Sequence, residues 1–173
     1  MNIFYLHHSP YLAAKVQYNK HVVKMILESA QMLCTAHHVY GNAEQKLNVP
    51  YKQAHLNHPS TIWTRQCKAN YRWLYLHMLA LGSEYTRRYN KTHASIIKCE
   101  KFLNVPPVHI PNGDFCEPPQ AMPDQYKVPG CSITAYWNYY EGEKYKVAAK
   151  DEMLITRDII YGKKKTIPTF DTA

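Results

Sequence analysis

The sequence predicts an all-α fold: a compact single domain of about four main helices, with a long proline-rich irregular segment and a basic C-terminal tail. The chain has 173 residues, of which 46% are hydrophobic, so it can form one domain with a real core. In four long stretches the apolar residues recur at three- and four-residue steps, the spacing of a helix with one buried face. Between residues 104 and 130, prolines are too dense for a helix or a sheet interior.

The first predicted helix runs from about Tyr11 to about His38, after a short apolar opening at residues 2–6 that forms a strand or an extended arm. Ser9 is suited to cap this helix and Pro10 to occupy its first position, and Gly41 is suited to end it. Its predicted buried stripe consists of Val16, Val23, Ile26, Leu27, Ala30, Leu33 and Cys34.

A second stripe on the same helix is polar. Lys24 lies one turn before Glu28, close enough to keep that carboxylate ionised. The stripe has two interpretations: an ordinary solvated face with one ion pair, or a row of side chains that does chemistry. Its members are His21, Lys24, Glu28, Gln31 and Thr35.

Three further helices are expected. A polar loop over residues 42–57 precedes a helix from about residue 61 to 89, capped by Ser60 or Thr61. Asn90 marks a break before a helix over residues 92–103, and Ser132 caps a last helix over residues 133–150.

The balance of charge indicates nucleic acid as a partner. The chain has 21 Lys plus Arg against 13 Asp plus Glu, a net charge of +8, together with 15 Tyr. Basic side chains among aromatic ones are what phosphate contact and base stacking require. Solvated helix faces and a disordered terminus are the alternatives for the same residues. The candidate DNA contacts are Lys24, Arg65, Arg72, Arg87, Arg88 and Lys91, with Lys163 and Lys164 in the tail at residues 151–173.

Several classes of protein are disfavoured by motifs that the sequence lacks. The five cysteines are scattered without CxxC or CxxH spacing, which argues against a zinc site and against a disulfide framework. No phosphate-binding glycine loop, HExxH or GxSxG pattern occurs. We therefore expect no metal and no cofactor. With no secretory signal and no membrane-spanning apolar run, we expect a cytoplasmic monomer that binds double-stranded DNA and no membrane.

Three stretches together resemble a known family. They are the opening Met1 to His7, the pair of His21 and Glu28 seven residues apart, and the pattern of Asn57-His58-Pro59 followed by residues 84–93. In this order they resemble the pyrimidine-dimer DNA glycosylases, the DenV-type endonucleases of phages and bacteria. The resemblance implies a small all-helical enzyme that excises a damaged pyrimidine in a bacterial or phage-infected cell.

The resemblance also implies roles for individual residues. In that family the amine of the mature N-terminus attacks C1′ of the target nucleotide and forms a Schiff base, while a glutamate handles proton transfers. α-Amines have a pKa of about 8, so much of the amine is neutral at physiological pH. Position 2 is Asn, a large residue for removal of Met1, so either residue supplies the amine or the amine is unused. The implied catalytic residues are Glu28, Met1, Asn2 and His21, the stacking residues Trp63, Trp73 and Tyr85, the phosphate clamps Lys24 and Arg65, and the other pocket candidates His58, Asn57 and His93.

Three hypotheses about function follow. The first is a glycosylase, with or without lyase activity, that acts on a damaged or modified pyrimidine. The second keeps the fold and makes the protein a transferase that modifies phage DNA bases, with Glu28 activating the incoming nucleophile. The third is a DNA-binding phage accessory protein without catalysis, in which Glu28 is only a helix-surface residue.

Overall fold

The computed structural model describes residues 1–148, and this part of the chain contains helices and no β-strand. The all-α prediction is confirmed. The predicted tail at residues 151–173, with Lys163 and Lys164, lies outside the described residues. The helices are α1 Pro10–Lys15, α2 Asn19–Tyr40, α3 Ala43–Asn48, α4 Pro59–Gln66, α5 Lys68–Tyr89, α6 Ala94–Leu103 and α7 Ser132–Gly142, with 3-10 turns at Asp124–Tyr126 and Lys144–Val147.

The two long helices, α2 and α5, pack against each other and form the centre of the fold. Helices α3, α4 and α6 pack on α2, and α1, α4 and α6 pack on α5. One hydrophobic core joins them, and no helix among residues 1–148 has the length and apolar character needed to cross a membrane. The largest fully buried aliphatic side chains are Ile3, Leu6, Ile26, Met32, Leu33, Leu74, Met78 and Leu81.

The N-terminal residues run through the interior as an extended arm. Residues 3–6 are buried, and because they belong to no sheet, their backbone groups need side-chain partners. Gln17 Nε2 donates to the carbonyls of Ile3 and Phe4, at 3.3 and 3.4 Å. Trp137 Nε1 donates to the carbonyl of Leu6 at 2.8 Å. These bonds hold the arm, and with it the chain terminus, at a defined place in the core.

The single helix predicted from Tyr11 to His38 is wrong, because the chain breaks at residues 16–18 into α1 and α2. The break contains neither glycine nor proline. Arg88 of α5 binds the backbone carbonyls at this break. It donates to the carbonyls of Gln17 and Lys15, at 2.8 and 3.0 Å. Arg88 also donates to Asn19 Oδ1 at 2.9 Å. A distant guanidinium therefore satisfies the carbonyls that the interrupted helix leaves open.

The helix predicted over residues 61–89 is also interrupted, at Cys67, which has an extended backbone between α4 and α5. The proline-rich segment supplies the partners at this point. The N–H of Lys68 donates to the carbonyl of Pro111 at 2.8 Å, and Cys67 Sγ donates to the carbonyl of Asp114 at 3.4 Å. Gly113 lies so close to Cys67 that a Cβ there would stand 2.9 Å from Cys67 Cβ.

Several helix ends also differ from the prediction. The loop predicted at residues 42–57 contains α3, which begins with a capping box of Asn42 and Gln45. His58, and neither Ser60 nor Thr61, caps α4. Ser132 is the first residue of α7, and its N–H donates to the Glu117 carboxylate at 3.0 Å. Helix α7 ends at Gly142 and is followed by a 3-10 turn, eight residues before the predicted end.

The proline-rich segment, residues 104–130, is irregular as predicted, apart from the 3-10 turn at Asp124–Tyr126. It is tied to the helices at many points. Trp63 Nε1 donates to the carbonyl of Cys116 at 2.8 Å, and Ser132 Oγ donates to the carbonyl of Pro118 at 2.7 Å. Asn2 Nδ2 donates to the carbonyl of Ala121 at 2.9 Å, so this segment also contacts the N-terminus.

Candidate functional site

Helix α2 buries most of the stripe that its periodicity predicted, and its buried surface also extends to part of the polar stripe. Val23 and Leu27, expected in the core, are 37% and 39% exposed. His21, Glu28 and Thr35, expected on the polar face, are buried. The ordinary solvated-face interpretation therefore does not hold for Glu28. The N-terminal arm contacts Glu28, α7 contacts His21, and the loop at Ala54 contacts Thr35. The arm brings the chain terminus with it.

A cavity of about 380 Å³ lies where α2, the N-terminal arm and the turn after α7 meet. Four residues predicted as catalytic (Glu28, Met1, Asn2 and His21) line it together with Lys24. These residues are up to 27 positions apart in the chain, so only the fold brings them together. The remaining lining residues are Phe4, Lys20, Met25, Lys144 and Val147.

Glu28 is the centre of this cavity. Its Oε2 accepts a hydrogen bond from the backbone N–H of Asn2 at 2.9 Å and lies 4.0 Å from the ammonium nitrogen of Met1. Its Oε1 lies 3.6 Å from Lys24 Nζ, one helical turn away. A nearly buried carboxylate therefore has a terminal amine on one oxygen and a lysine on the other.

The position of the amine is set by the first two side chains. The Met1 side chain is 1% exposed and packs against the core. Asn2 Oδ1 accepts from the N–H groups of Ile3 and Phe4, at 2.7 and 3.1 Å, while its Nδ2 binds Ala121. If Met1 is removed, the nitrogen left as the terminus is that of Asn2, which already lies 2.9 Å from Glu28 Oε2. Either residue thus places an amine beside the carboxylate.

His21 forms the aromatic wall of the cavity. Its ring stacks on Phe4, with centroids 4.1 Å apart, and its Nδ1 lies 2.6 Å from the Tyr140 hydroxyl oxygen. Burial, followed by the positive charges of Lys144 and Lys24, lowers the pKa of His21 to about 4. The imidazole is therefore neutral at physiological pH, and it adds no charge next to the amine.

Phe4 has a backbone conformation that is rare for a residue with a side chain. Its φ is +54°, in the left-handed region. A non-glycine residue there carries roughly 1–3 kcal/mol of strain, which persists where the surroundings over-determine it. Gln17 holds the carbonyl of Phe4 and His21 stacks on its ring. The strain lies in the wall of the cavity, in the segment that directs the terminus towards Glu28.

Two lysines that sequence reasoning missed stand at the cavity. Lys20 precedes Lys24 by one turn on α2, so its helical spacing was a usable signal. Lys144 belongs to the turn after α7, and its Nζ lies 4.9 Å from the centroid of the Tyr139 ring. Nothing in the sequence pattern indicates that Lys144 reaches α2. With Lys24 these side chains make the surroundings of Glu28 basic.

The two predicted tryptophan wedges lie in the core. Trp63 is 3% exposed, and its Nε1 is bound to the carbonyl of Cys116. Trp73 is also buried, donates to the carbonyl of His8 at 2.8 Å and stacks on His77. The structure therefore assigns these rings to packing and not to a base contact. Tyr85 is half-buried and packs against Tyr89 and His93, away from the Glu28 cavity.

The predicted arginine contacts do not gather around the cavity. Arg65 donates to the carbonyl of Leu56 at 2.9 Å, and Arg72 is exposed and donates to the carbonyl of Asn104 at 2.9 Å. Arg88 is committed to the break between α1 and α2. Arg87 lies at the surface in an ion pair of 2.8 Å with Glu84.

Lys91 is exposed beyond the end of α5, and Asn57 is exposed before α4. Although burial of Glu84 opposes it, the hydrogen bonds and charges of Arg87 and Arg88 lower the pKa of that carboxyl group. This arginine pair therefore has a structural partner at the C-terminal end of α5.

The other two pocket candidates, His58 and His93, cap helices in the same way. His58 Nδ1 accepts from the N–H of Ser60, and His93 Nδ1 accepts from the N–H of Ser95, both at 3.1 Å. They differ in location: His93 caps α6, whereas His58 caps α4 close to the N-terminus. Residues 1–148 contain no group of three His, Cys, Asp or Glu side chains arranged to hold a metal ion.

The fold and the site together define an all-α protein in which the terminal amine meets a buried carboxylate inside a basic cavity. In comparison with known proteins, the chain matches no protein-family model, no curated protein and no solved structure at a significant level. The resemblance to the pyrimidine-dimer glycosylases therefore stays a prediction from the sequence.

Proposed function

We propose that this protein is a DNA-base-directed enzyme, a glycosylase with lyase activity that uses its terminal amine as the nucleophile and Glu28 as the proton-transfer group. The observation that carries the proposal is the contact between Glu28 Oε2 and the first two backbone nitrogens of the chain, at 4.0 and 2.9 Å. In this arrangement the amine is the nucleophile, and the buried carboxylate beside it is the base that accepts its proton.

The chemistry that this pair supports is displacement at C1′ of a nucleotide. The neutral amine forms a bond to C1′, the bond from C1′ to the base breaks, and the base leaves as an anion that takes a proton from water. The new secondary amine then expels the sugar oxygen O4′, which takes up a proton, and an iminium links C1′ to the protein. Glu28 is placed to take the proton from the amine and return it to O4′.

The surroundings suit a nucleic acid substrate. Lys20, Lys24 and Lys144 line the same cavity, and lysines bind phosphates as point charges. A cavity of about 380 Å³ holds one unit of a polymer and not a duplex, so the target nucleotide must leave the helix to reach Glu28. The net charge of +8 favours association with DNA as a whole.

Borohydride trapping tests the proposal. The purified protein is incubated with ultraviolet-irradiated, abasic and base-modified duplexes, reduced, and examined for a covalent protein–DNA adduct. We expect an adduct whose peptide map places the DNA on the N-terminal residue. Intact mass determines in the same sample whether that residue is Met1 or Asn2.

Two controls make the result specific. Acetylation of the terminal amine removes the nucleophile and should abolish the adduct, whereas Lys46→Gln, an exposed position on α3, should leave it unchanged. No adduct with any duplex, alongside tight and salt-sensitive binding, would contradict the proposal. That outcome would favour the base-modifying transferase or the non-enzymatic DNA-binding protein.

A further inference from the structure

A second cavity, of about 600 Å³, lies next to the N-terminal arm. Its walls come from the start of α4 and from the loop of residues 119–129. Ala121 lines it, and the carbonyl of Ala121 is the group that accepts from Asn2 Nδ2. The cavity is lined by His58, Pro59, Pro119, Gln120, Ala121, Met122, Lys127 and Pro129.

The walls of this cavity are rigid and largely apolar. Three prolines and Met122 supply flat or adaptable apolar surface, which suits a planar ring. Gln120 looks polar, but both ends of its amide bind Val128: Nε2 donates to the Val128 carbonyl at 2.6 Å, and Oε1 accepts from the Val128 N–H at 2.8 Å. Lys127 pairs with Asp124 at 2.9 Å. The Gln120 amide is therefore already used, whereas the Lys127 ammonium group keeps two N–H donors beside its surface ion pair.

His58 is different, because it holds an unused donor that carries no charge. Its Nδ1 accepts the Ser60 N–H at 3.1 Å, so the neutral ring carries its proton on Nε2. Within residues 1–148, Nε2 has no hydrogen-bond partner. Burial, then the charge of the Met1 amine and of His55, lowers the pKa of His58, against an opposing effect of Glu28. The ring is therefore a neutral N–H donor in the wall of the cavity.

A hydrogen bond locates the cavity relative to the reaction, because Asn2 Nδ2 donates at 2.9 Å to the carbonyl of Ala121, which lines it. His58 is close enough to the Met1 amine and to Glu28 for both charges to act on its ring. The amine and Glu28 line the first cavity, and His58 lines the second. The attacking group therefore adjoins both a basic cavity suited to the sugar and phosphates and a largely apolar cavity with a neutral donor at His58.

We propose that the second cavity holds the extruded nucleobase, and that His58 Nε2–H recognises it by donating to a carbonyl oxygen of the ring. Thymine and the other carbonyl-bearing pyrimidines have such acceptors at O2 or O4. This proposal rests on the proposed function. It assigns the base and the sugar–phosphate of one nucleotide to separate cavities that both adjoin the amine.

The matched variants are His58→Asn and His93→Asn. Asparagine is a good N-cap, so each variant keeps its helix cap and loses only the imidazole. The two histidines cap with equal 3.1 Å contacts, but His93 lines neither cavity. Each variant and the unaltered protein are trapped with borohydride on two duplexes, one with ultraviolet-damaged pyrimidines and one with a preformed abasic site.

We expect His58→Asn to slow trapping on the damaged duplex roughly tenfold, the value of one hydrogen bond, and to leave trapping on the abasic duplex within about twofold of the unaltered protein. An abasic site has no base to recognise, so only a base contact gives this difference. His93→Asn should affect neither duplex. An equal loss on both duplexes, or no loss on either, would overturn the inference while leaving the proposed function standing.

A binding measurement tests the inference without turnover. The ¹⁵N resonance of His58 Nε2 is followed while thymidine 3′,5′-bisphosphate is added, and separately while the abasic deoxyribose 3′,5′-bisphosphate is added. We expect a shift with the first ligand only. No shift with either, or the same shift with both, would contradict the base contact. If no duplex gives an adduct but thymidine bisphosphate shifts His58, the proposed function fails and the base site remains.

Discussion

Acid should destabilise this protein through histidines that the fold holds neutral, and His77 is the clearest case. Its ring is fully buried on α5. Nδ1 lies 2.9 Å from the carbonyl of Pro10, so it carries the proton, and Nε2 lies 3.1 Å from Gln17 Nε2, so it accepts. A second proton on the ring would place two donors face to face in the core.

The size of the effect follows from the difference in pKa between the two states. Burial lowers the pKa of His77 from 6.5 to about 4, against opposing hydrogen bonds to backbone carbonyls. The unfolded chain therefore binds a proton at higher pH than the folded one. The stabilisation is present above pH 6.5 and is lost as the pH falls towards 4. Linkage gives a loss of roughly 2.5 kcal/mol between about pH 7.5 and pH 4.5.

The assay is urea unfolding followed by tryptophan fluorescence at several pH values, with the unaltered protein and His77→Gln compared at each. The variant loses two hydrogen bonds, so it should be less stable by about 1–3 kcal/mol at neutral pH. Because it has no ring to protonate, the difference between the two proteins should shrink or reverse by roughly 2.5 kcal/mol towards about pH 4.5. His109→Gln, at an exposed position, is the control for loss of a histidine.

A difference in unfolding free energy that stays constant from neutral to acid pH would refute this reasoning. It would mean that the folded protein admits the second proton at His77, and that the Gln17 contact rearranges to accept it. His21 and His37, whose pKa values burial also lowers to about 4, should add to the acid sensitivity of the unaltered protein.

Three further outcomes are expected. Glu28→Gln should lower the trapping rate at an abasic duplex by about 10²–10⁴-fold with duplex affinity unchanged, and an unchanged rate would exclude Glu28 from proton transfer. Lys144→Gln should reduce the slope of log affinity against log salt by about 0.9, the value for one phosphate contact, whereas Lys46→Gln should not. Arg88→Met should lower the unfolding free energy in urea by about 3 kcal/mol, because the carbonyls at the break after α1 lose their donor; a change below about 0.5 kcal/mol would contradict this role.

Several helix ends could be predicted from the sequence because the residues that cause them lie next to them in the chain. Asn90 adopts the left-handed conformation that ends α5, with φ of +55°, and asparagine tolerates that region. Gly41 ends α2, and a Cβ there would stand 2.5 Å from the His37 carbonyl oxygen. Ser9 caps α1 with Pro10 in its first turn. Each of these depends on residues within one turn of one another.

The breaks in the long helices could not be predicted from the sequence, because the residues that stabilise them lie far away in the chain. Residues 16–18 contain no residue that typically ends a helix. The carbonyls of Lys15 and Gln17 at this break accept from Arg88, which lies more than 70 positions later. At Cys67 the partner is the segment that contains Pro111 and Asp114. A helix ends where tertiary contacts satisfy its open backbone groups better than another turn would, and local propensity does not contain that information.

The sequence by itself determined the all-α class, the irregular proline-rich segment, and the row of His21, Lys24 and Glu28 at helical spacing. The tertiary structure decided that His21 and Glu28 are buried while Lys24 stays exposed, that Lys144 lines the same cavity, and that the chain terminus lies against Glu28. The physical reason is that periodicity defines faces of a helix but does not choose which one is buried. That choice belongs to the N-terminal arm, because Gln17 and Trp137 donate to its backbone carbonyls and so hold the amine in the core.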